Sequence, residues 1–367
     1  VGTSEAGIPG EPGEQAELRP GTCELSVIVP ARDEERSLGE CLASLAAQSE
    51  EGWLLGKHWE LLAVDDQSSD RTAEIARGFP GVTLLNTDAP PAGWTGKANA
   101  CWTAAQRARG QWLLFTDADT IHAAGSLSRS LVEAQRYKVG MLSWSPLQRV
   151  DGLLARMVMP LIFSELATAY PPRVVNDPEK RIAVANGQFL LLRRDVYRQI
   201  GGHAAVASSL VEDVDLAFLV KRHRLGLRFR YAPEMVSARM YRTSGELWEG
   251  WVKNLAALIN NTLPLAAWRV LDVLLVLLLP FLALALWQPI GPIQPIARIA
   301  VLLIWLRTLW RIWRRAARSN FAPENVALAI LGLPVFAALL VASWYAHRVT
   351  HRASWKGRVY ATGSKGG

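Results

Sequence analysis

The stretch Trp112-Leu113-Leu114-Phe115-Thr116-Asp117-Ala118-Asp119 is a run of large apolar side chains that ends abruptly in two carboxylates. An unbroken apolar tetrad suits a strand buried on both faces of a parallel sheet. Extended chain alternates its side chains, so Asp117 and Asp119 are expected on one side of the strand end. Two like charges there repel unless a cation sits between them. A hard divalent ion that keeps several waters and accepts phosphate oxygens fits that geometry. An isolated Asp-x-Asp is usually just a solvated turn, so the reading depends on what surrounds it.

Upstream, short apolar runs alternate with helical patterns. Ser26–Ala31, Leu61–Asp66 and Val82–Asn86 read as strands, with Trp112–Thr116 as the fourth. Between them, Arg36–Gln48 and Lys97–Arg109 read as helices, and Asp70 is placed to N-cap a third that runs to Arg77. Strict alternation predicts an α/β fold, an open and mostly parallel sheet with helices on both faces. Ligands on such sheets sit beyond the carboxyl ends of the strands. Acidic pairs end two of them, Asp65/Asp66 and Asp117/Asp119, and both are expected to face one crevice.

Beyond Ser145 the pattern loosens. Val184–Leu192 reads as a strand entered through Asn186-Gly187, Glu212-Asp213 precedes a helix from Val214 to about Arg224, and Leu227–Tyr231 is a short strand. Leu247–Val270 looks like an amphipathic interfacial helix. Three apolar stretches follow, at about 271–288, 296–313 and 326–345, and the last is uncharged and long enough to cross a bilayer. Trp287, Trp305, Trp310, Trp313, Trp344 and Trp355 cluster around them, as in an interfacial aromatic belt.

Charge follows the same division. The chain has 40 Lys/Arg and 33 Asp/Glu, net +7. From Arg269 onward there are 12 basic and 2 acidic residues, so the part before it carries 28 against 31. A basic excess confined to the apolar tail points to a membrane surface and not to nucleic acid. The expected placement is a multi-pass protein of the cell inner membrane with its catalytic domain in the cytoplasm. Arg307, Arg311, Arg314 and Arg318 recur on one helical face, and the tail 347–367 is also basic. Both want the cytoplasmic side, which one intervening span cannot satisfy, so the segment that contains Pro334 is a candidate for re-entry.

The expected domains are a disordered leader or linker over 1–23, a catalytic domain over 24–246, the interfacial helix 247–270, membrane segments within 271–346 and the basic tail. Three scattered cysteines suit a reducing compartment. No His/Cys cluster indicates zinc, no G-x-x-x-x-G-K-[ST] an ATPase, and no G-x-S-x-G a hydrolase.

Four acidic signals therefore stand in order: Val29-Pro30-Ala31-Arg32-Asp33-Glu34, Val64-Asp65-Asp66-Gln67-Ser68-Ser69-Asp70, Asp117-Ala118-Asp119 and Glu212-Asp213. An aspartate of the second could accept a hydrogen bond from the imide N–H of a uracil-like base. In this order, from about Leu25 to Asn254, the chain resembles the family 2 inverting glycosyltransferases of the GT-A fold. The resemblance implies that Pro30, Arg32, Asp33, Asp65 or Asp66, and Lys97 line a nucleotide-sugar site. It implies that Asp117 and Asp119 are the metal-binding DxD pair and that Asp213, with Glu212 its nearest competitor, is the catalytic base. Arg239-Met240-Tyr241-Arg242 partly matches the family's (Q/R)xxRW signature, with Thr243 where its tryptophan belongs. Trp248 or Trp251 is the candidate substitute, and Asn186 and Gly187 are placed on the acceptor side.

The ending Trp355-Lys356-Gly357-Arg358-Val359-Tyr360 is similar to the close of membrane glycosyltransferases that act on lipids. Gly93-Trp94-Thr95-Gly96-Lys97 and Val175-Asn176-Asp177-Pro178 resemble the subgroup associated with hopanoids and carotenoids. The implied reaction moves a sugar from a nucleotide-diphosphate donor, a UDP-hexose, to a hydroxyl of a membrane lipid. Mg²⁺ or Mn²⁺ on the Asp117/Asp119 pair would neutralise the leaving diphosphate. Arg239 and Arg242 would add donors to it. One carboxylate base without a carboxylate nucleophile implies single displacement with inversion. The alternatives are a processive polysaccharide synthase and a catalytically inactive scaffold.

Overall fold

The computed structural model describes residues 23–259, 261–286, 293–319 and 321–362. The leader over residues 1–22, Trp287 and the last five residues of the tail lie outside them. The first half runs β1 (Leu25–Ala31), α1 (Leu38–Ala46), β2 (Trp59–Asp65), α2 (Thr72–Arg77), β3 (Val82–Asn86), α3 (Gly96–Arg107), β4 (Trp112–Phe115), β5 (Thr120–His122), α4 (Ser126–Arg136), β6 (Met141–Ser145) and β7 (Leu147–Gln148). It continues with α5 (Leu153–Ala169), α6 (Pro172–Val175), β8 (Leu190–Arg193), α7 (Arg194–Gln199), α8 (Glu212–Arg222), β9 (Leu227–Tyr231) and β10 (Val236–Ala238). The helical region is α9 (Ser244–Leu258), α10 (Thr262–Ala285), α11 (Ile293–Ala316) and α12 (Pro323–Arg348), and a hairpin of β11 (Arg352–Trp355) and β12 (Arg358–Ala361) follows it.

The central sheet has the order β3-β2-β1-β4-β8-β6-β9, parallel except for β8, which runs against both neighbours. Period-two alternation sorts the apolar residues between two layers. Leu25, Val27 and Val29 of β1 pack with Leu38, Cys41, Leu42 and Leu45 of α1. Ile28 points the other way, to Ala100, Cys101 and Ala104 of α3. Because β1, β2 and β4 are parallel, their carboxyl ends open on one edge of the sheet.

Several elements depart from the pattern expected of the sequence. The strand read at Val184–Leu192 begins at Leu190, which leaves Asn186 and Gly187 in the preceding turn. Helix α5 carries no clear amphipathic period because it is apolar nearly all round, with Pro160 inside. The interfacial helix expected over 247–270 is two helices. The first ends at Leu258 with Ile259 extended (φ −115°), and Asn261, in a left-handed conformation (φ 62°), is the N-cap of the second. Pro334 sits within a continuous α12, with no break in the helix at that residue.

Among the described residues, three helices are long and apolar enough to cross a membrane: Leu153–Val175, Thr262–Ala285 and Pro323–Arg348. Helix α10 presents Leu277, Leu278, Phe281 and Leu284 outward, all more than half exposed. Open apolar surface of that extent is what a lipid-facing or partner-facing helix shows. Where α5, α10 and α11 meet, buried charges pair with each other. Asp272 holds Arg269 (2.6 Å) and Arg311, and Glu165 holds Arg315 (3.1 Å). The arginine stripe of α11 is therefore partly an internal clamp and not wholly a surface for anionic lipid.

Helix α12 lies so close to α5 that Gly332 has no room for a side chain, since a Cβ there would stand 2.3 Å from the Met157 carbonyl oxygen. Gly332→Val is expected to lower stability by about 1–3 kcal/mol, the usual cost of overpacking. Thermal unfolding of the detergent-solubilised chain measures this, and an unchanged midpoint would count against the contact.

Candidate active site

The carboxyl edge of the sheet opens into a cavity of about 630 Å³. Pro30, Arg32, Asp33, Asp66, Lys97, Asp117, Asp119, Asn186, Gly187, Glu212, Asp213, Arg239, Arg242 and Trp251 all line it. Two expected residues do not. Asp65 is the last residue of β2, and its Oδ1 accepts the Ser68 N–H (3.3 Å), closing the turn, while Asp66 faces the cavity. Neighbouring residues leave a strand on opposite sides, so only one of the pair could do so. Trp248 falls off the edge of the buried stripe of α9 (Leu247, Gly250, Trp251 and Leu255) and is 40% exposed.

The loops after β1 and β2 hold each other. Asp33, in a left-handed conformation (φ 51°), accepts the Ser69 N–H at 2.8 Å. Arg32 donates to the Asp66 carbonyl at 2.8 Å. Asp117 and Asp119 sit on a turn and not on an extended strand. Thr120 Oγ1 donates to the Asp117 carbonyl (2.8 Å) and closes it. Both residues nevertheless reach the cavity.

Lys97 bridges the site. Thr95 caps α3 by accepting the Ala98 N–H (3.2 Å), which sets Lys97 in the first turn. Its Nζ lies 2.8 Å from Asp117 Oδ1 and 2.8 Å from Glu212 Oε1. Burial opposes its charge, but Asp117, Glu212 and Asp213 outweigh burial and hold the ammonium protonated well above the ordinary lysine range. Glu212 is committed to that ion pair. Asp213, in the first turn of α8, accepts the Gly187 N–H (2.7 Å) and the Val214 N–H (2.9 Å). Burial, then Glu212, pushes its carboxyl up to about 7. A Cβ at Gly187 would lie 3.0 Å from Lys97 Nζ and 3.4 Å from Asp213 Oδ2, so a larger residue there would press on the lysine.

Asp119 carries an unmet demand. Its Oδ1 is buried with no hydrogen-bond partner, and burial, then Asp117 and Glu34, push its carboxyl upward. Buried polar atoms are normally paired, so an orphaned carboxylate oxygen beside a second carboxylate suits a cation. Among the described residues no group of three or more His, Cys, Asp or Glu is arranged to hold a metal ion. Two carboxylates suffice for an ion that takes its remaining ligands from water and substrate phosphate.

Arg239 pairs with Asp151 (3.0 Å), and Arg242 donates to the Arg36 carbonyl (2.9 Å). The position expected to hold a signature tryptophan is instead the N-cap of α9, where Thr243 accepts the Glu246 N–H. Trp251 supplies an aromatic wall nearby, edge-on to Tyr241. Beyond it the cavity turns apolar, with Phe163 and Leu166 from α5 and Leu258 from α9.

The sequence reading missed one whole wall. The β11–β12 hairpin folds over the cavity mouth and contributes Trp355, Lys356 and Tyr360 to it. Lys356 Nζ contacts Glu34 Oε1 (2.6 Å) and the Arg32 carbonyl (2.8 Å), and Arg358 Nη1 lies 2.6 Å from Asp66 Oδ2. Lys253 was missed too. It is half-buried at the cavity wall, desolvation there lowers its pKa, and its Nζ stands over Trp355. No local signal marks these contacts, which join residues about 300 apart in sequence.

Residues 26–201 match the model of "Glycosyl transferase family 2". The chain is 30% identical over 259 residues to a 4,4'-diaponeurosporenoate glycosyltransferase of Staphylococcus haemolyticus, covering 66% of this chain and 64% of that protein. It is 26% identical over 249 residues to the protein of the same name from Staphylococcus aureus strain USA300, covering 65% and 63%. The chain thus spans less than two thirds of the length of these curated relatives. Among solved structures it is similar to the Pyrobaculum calidifontis mannosyltransferase PcManGT in complex with GDP-Man and Mn²⁺, at 18% identity, a TM-score of 0.46 and coverage of 91% and 90%. It is similar to Staphylococcus aureus TarS 1-349 in complex with UDP, at 14% identity, a TM-score of 0.38 and coverage of 93% and 97%. Residues 26–201, which hold β1 to β8 and the Asp66, Lys97 and Asp117/Asp119 side of the crevice, are the part of the chain that matches the glycosyl transferase family 2 domain.

Proposed function

We propose that the chain is an inverting glycosyltransferase that moves one sugar from a nucleoside-diphosphate donor, a UDP-hexose, to a hydroxyl of a membrane lipid of carotenoid or hopanoid type. One observation carries this reading. Lys97 joins the Asp117/Asp119 turn to the Glu212-Asp213 helix start on one cavity, which also takes the apolar side chains Phe163 and Leu166 of α5 and Trp251 and Leu258 of α9.

Asp33, Asp66, Arg32 and Pro30 form the nucleoside end in this reading. Arg239 and Arg242 lie within reach of the donor's phosphates, and arginine's planar fork suits phosphate oxygens. Asp117 and Asp119 would hold a divalent ion, Mg²⁺ or Mn²⁺, which when bound offsets charge on the departing nucleoside diphosphate. Asp213 takes the proton of the acceptor hydroxyl as that oxygen attacks the anomeric carbon, and the bond to the diphosphate breaks on the opposite face. Asp213 contacts only backbone N–H groups, whereas Glu212 is neutralised by Lys97, so Asp213 is the better base. A base near neutrality is well matched to that transfer.

The domains proposed are the catalytic sheet domain, the α9 wall and the helical region after it. The chain enters that region from α9 and leaves it into the hairpin, and both line the cavity. Crossings between residues 262 and 348 are therefore even in number, and the catalytic domain stays on one side, the cytoplasmic face of the inner membrane. A second reading comes from the relatives, named for diaponeurosporenoate, which is a carboxylate. Such an acceptor is already deprotonated at neutral pH and needs no base.

The test is to incubate the full chain in detergent with labelled UDP- and GDP-sugars and a membrane-lipid extract, with products resolved by mass spectrometry. One sugar added to a lipid is expected. A long polymer would support a processive synthase, and no transfer from any donor would sink the enzyme reading.

A further inference from the structure

The cations of the cavity already have partners. Lys97 is held between two carboxylates, Arg239 lies against Asp151, and Arg242 donates to the Arg36 carbonyl and Ser37 Oγ. Lys356 is set apart by its place, on the hairpin held against the loops after β1 and β2, and not by having fewer partners. Its ammonium has three N–H donors, of which one serves Glu34 Oε1 and one the Arg32 carbonyl. The hairpin that carries it is anchored on both sides. Arg358 grips Asp66 through two contacts (2.6 and 3.3 Å) and Gln67 Oε1 at 3.1 Å. Ser354 Oγ donates to Glu249 Oε1 of α9 (2.8 Å), and Trp355 packs edge-on to Tyr241. Gly96 leaves the room this needs, since a Cβ there would lie 1.8 Å from Arg358 Nη1 and 2.2 Å from Asp66 Oδ2. Lys356 is also close enough to Asp119 to oppose the upward shift of its carboxyl.

We propose that the Arg352–Ala361 hairpin is a wall of the donor site and that Lys356 is a donor-binding residue whose ammonium contacts the diphosphate, while Arg358 locks the hairpin to Asp66. This rests on the reading of the cavity as a nucleoside-diphosphate site. A diphosphate brings two to three negative charges to a crevice already lined by Glu34, Asp66, Asp117 and Asp119. A cation with a spare donor on that side offsets part of the repulsion, and a compact ammonium suits phosphate as a point charge. Lys356 can then exchange its Glu34 contact for a phosphate oxygen without any movement of the anchored strands.

The test compares wild type, Lys356→Ala and Lys356→Arg in the full-length solubilised chain, binding UDP and uridine, and GDP and guanosine, by calorimetry. Lys356→Ala is expected to weaken the diphosphates roughly 10–100-fold, the range for a lost charge-assisted hydrogen bond, and to leave the nucleosides unchanged. Lys356→Arg should recover part of the loss. In turnover, the donor KM should rise by more than kcat falls. Unchanged diphosphate binding in Lys356→Ala, or an equal loss of nucleoside and diphosphate, overturns the proposal. If wild type binds none of the four, the donor-site reading fails instead. If thermal unfolding shows Lys356→Ala to be misfolded, Lys356→Met keeps the aliphatic stem and carries the same comparison.

Discussion

Asp213→Asn is expected to lower kcat with a lipid-hydroxyl acceptor by about 10²–10⁴-fold, the usual worth of a positioned general base. The donor KM should barely move, because the hydrogen bonds of Asp213 go to Gly187 and to the start of α8 and not to the loops after β1 and β2. The substitution is nearly isosteric, but Asn has one acceptor oxygen, so only one of the Gly187 and Val214 N–H groups keeps its partner, and a thermal unfolding control accompanies the rates. A carboxyl pushed up to about 7 by burial and Glu212 also fixes the pH dependence. Only the ionised form accepts a proton, so kcat/KM of the wild type should fall as pH drops below about 7, and Asp213→Asn should lack that limb. Steady-state rates between pH 5 and 9 measure both effects. Full activity in the variant would show that Asp213 is not the base. If activity persists only with a carboxylate acceptor, the second reading of the acceptor stands.

Asp119→Asn should separate function from stability. The Oδ1 of Asp119 is buried without a partner, so exchanging the carboxylate for a neutral amide removes repulsion from Asp117 and Glu34. In EDTA at about pH 9, above the value of about 8 to which burial and Asp117 push the Asp119 carboxyl, the variant is expected to unfold at the same temperature as wild type or higher, because wild type then buries an unpaired charge. Its activity with Mg²⁺ or Mn²⁺ should fall by at least about 10²-fold, since offsetting charge on a departing phosphate is worth several kcal/mol. A destabilised variant would show that the oxygen has a structural partner. A stable and fully active one would remove Asp119 from the donor site.

The parallel half of the sheet was legible because β1, β2, β3 and β4 are each a short apolar run closed by polar residues. The acidic strand ends that line the cavity followed from that topology alone. Choosing Asp66 over Asp65 needed a register that the two adjacent acids do not reveal. Helix α5 was invisible for a different reason: it is covered on most sides, so it has no polar face to set a period. The arginines of α11 misled because charge counting cannot see that Arg311 and Arg315 meet Asp272 and Glu165 inside the helical bundle. Lys356 and Arg358 read as part of a basic tail, and only long-range closure of the chain turns them into cavity residues.

That closure has a consequence for the biogenesis of the protein. The cavity gathers residues from Pro30 to Tyr360, so its walls leave the ribosome first and last. The sheet edge can form early, but the α9 face and the hairpin reach it only after α10, α11 and α12 have been made and seated. A chain stalled before its helical segments integrate would hold an acidic, half-built crevice with no Lys356 or Arg358 against Glu34 and Asp66. Completion of the crevice thus reports that α10, α11 and α12 have been made and packed, which ties ripening of the site to folding of the helical region.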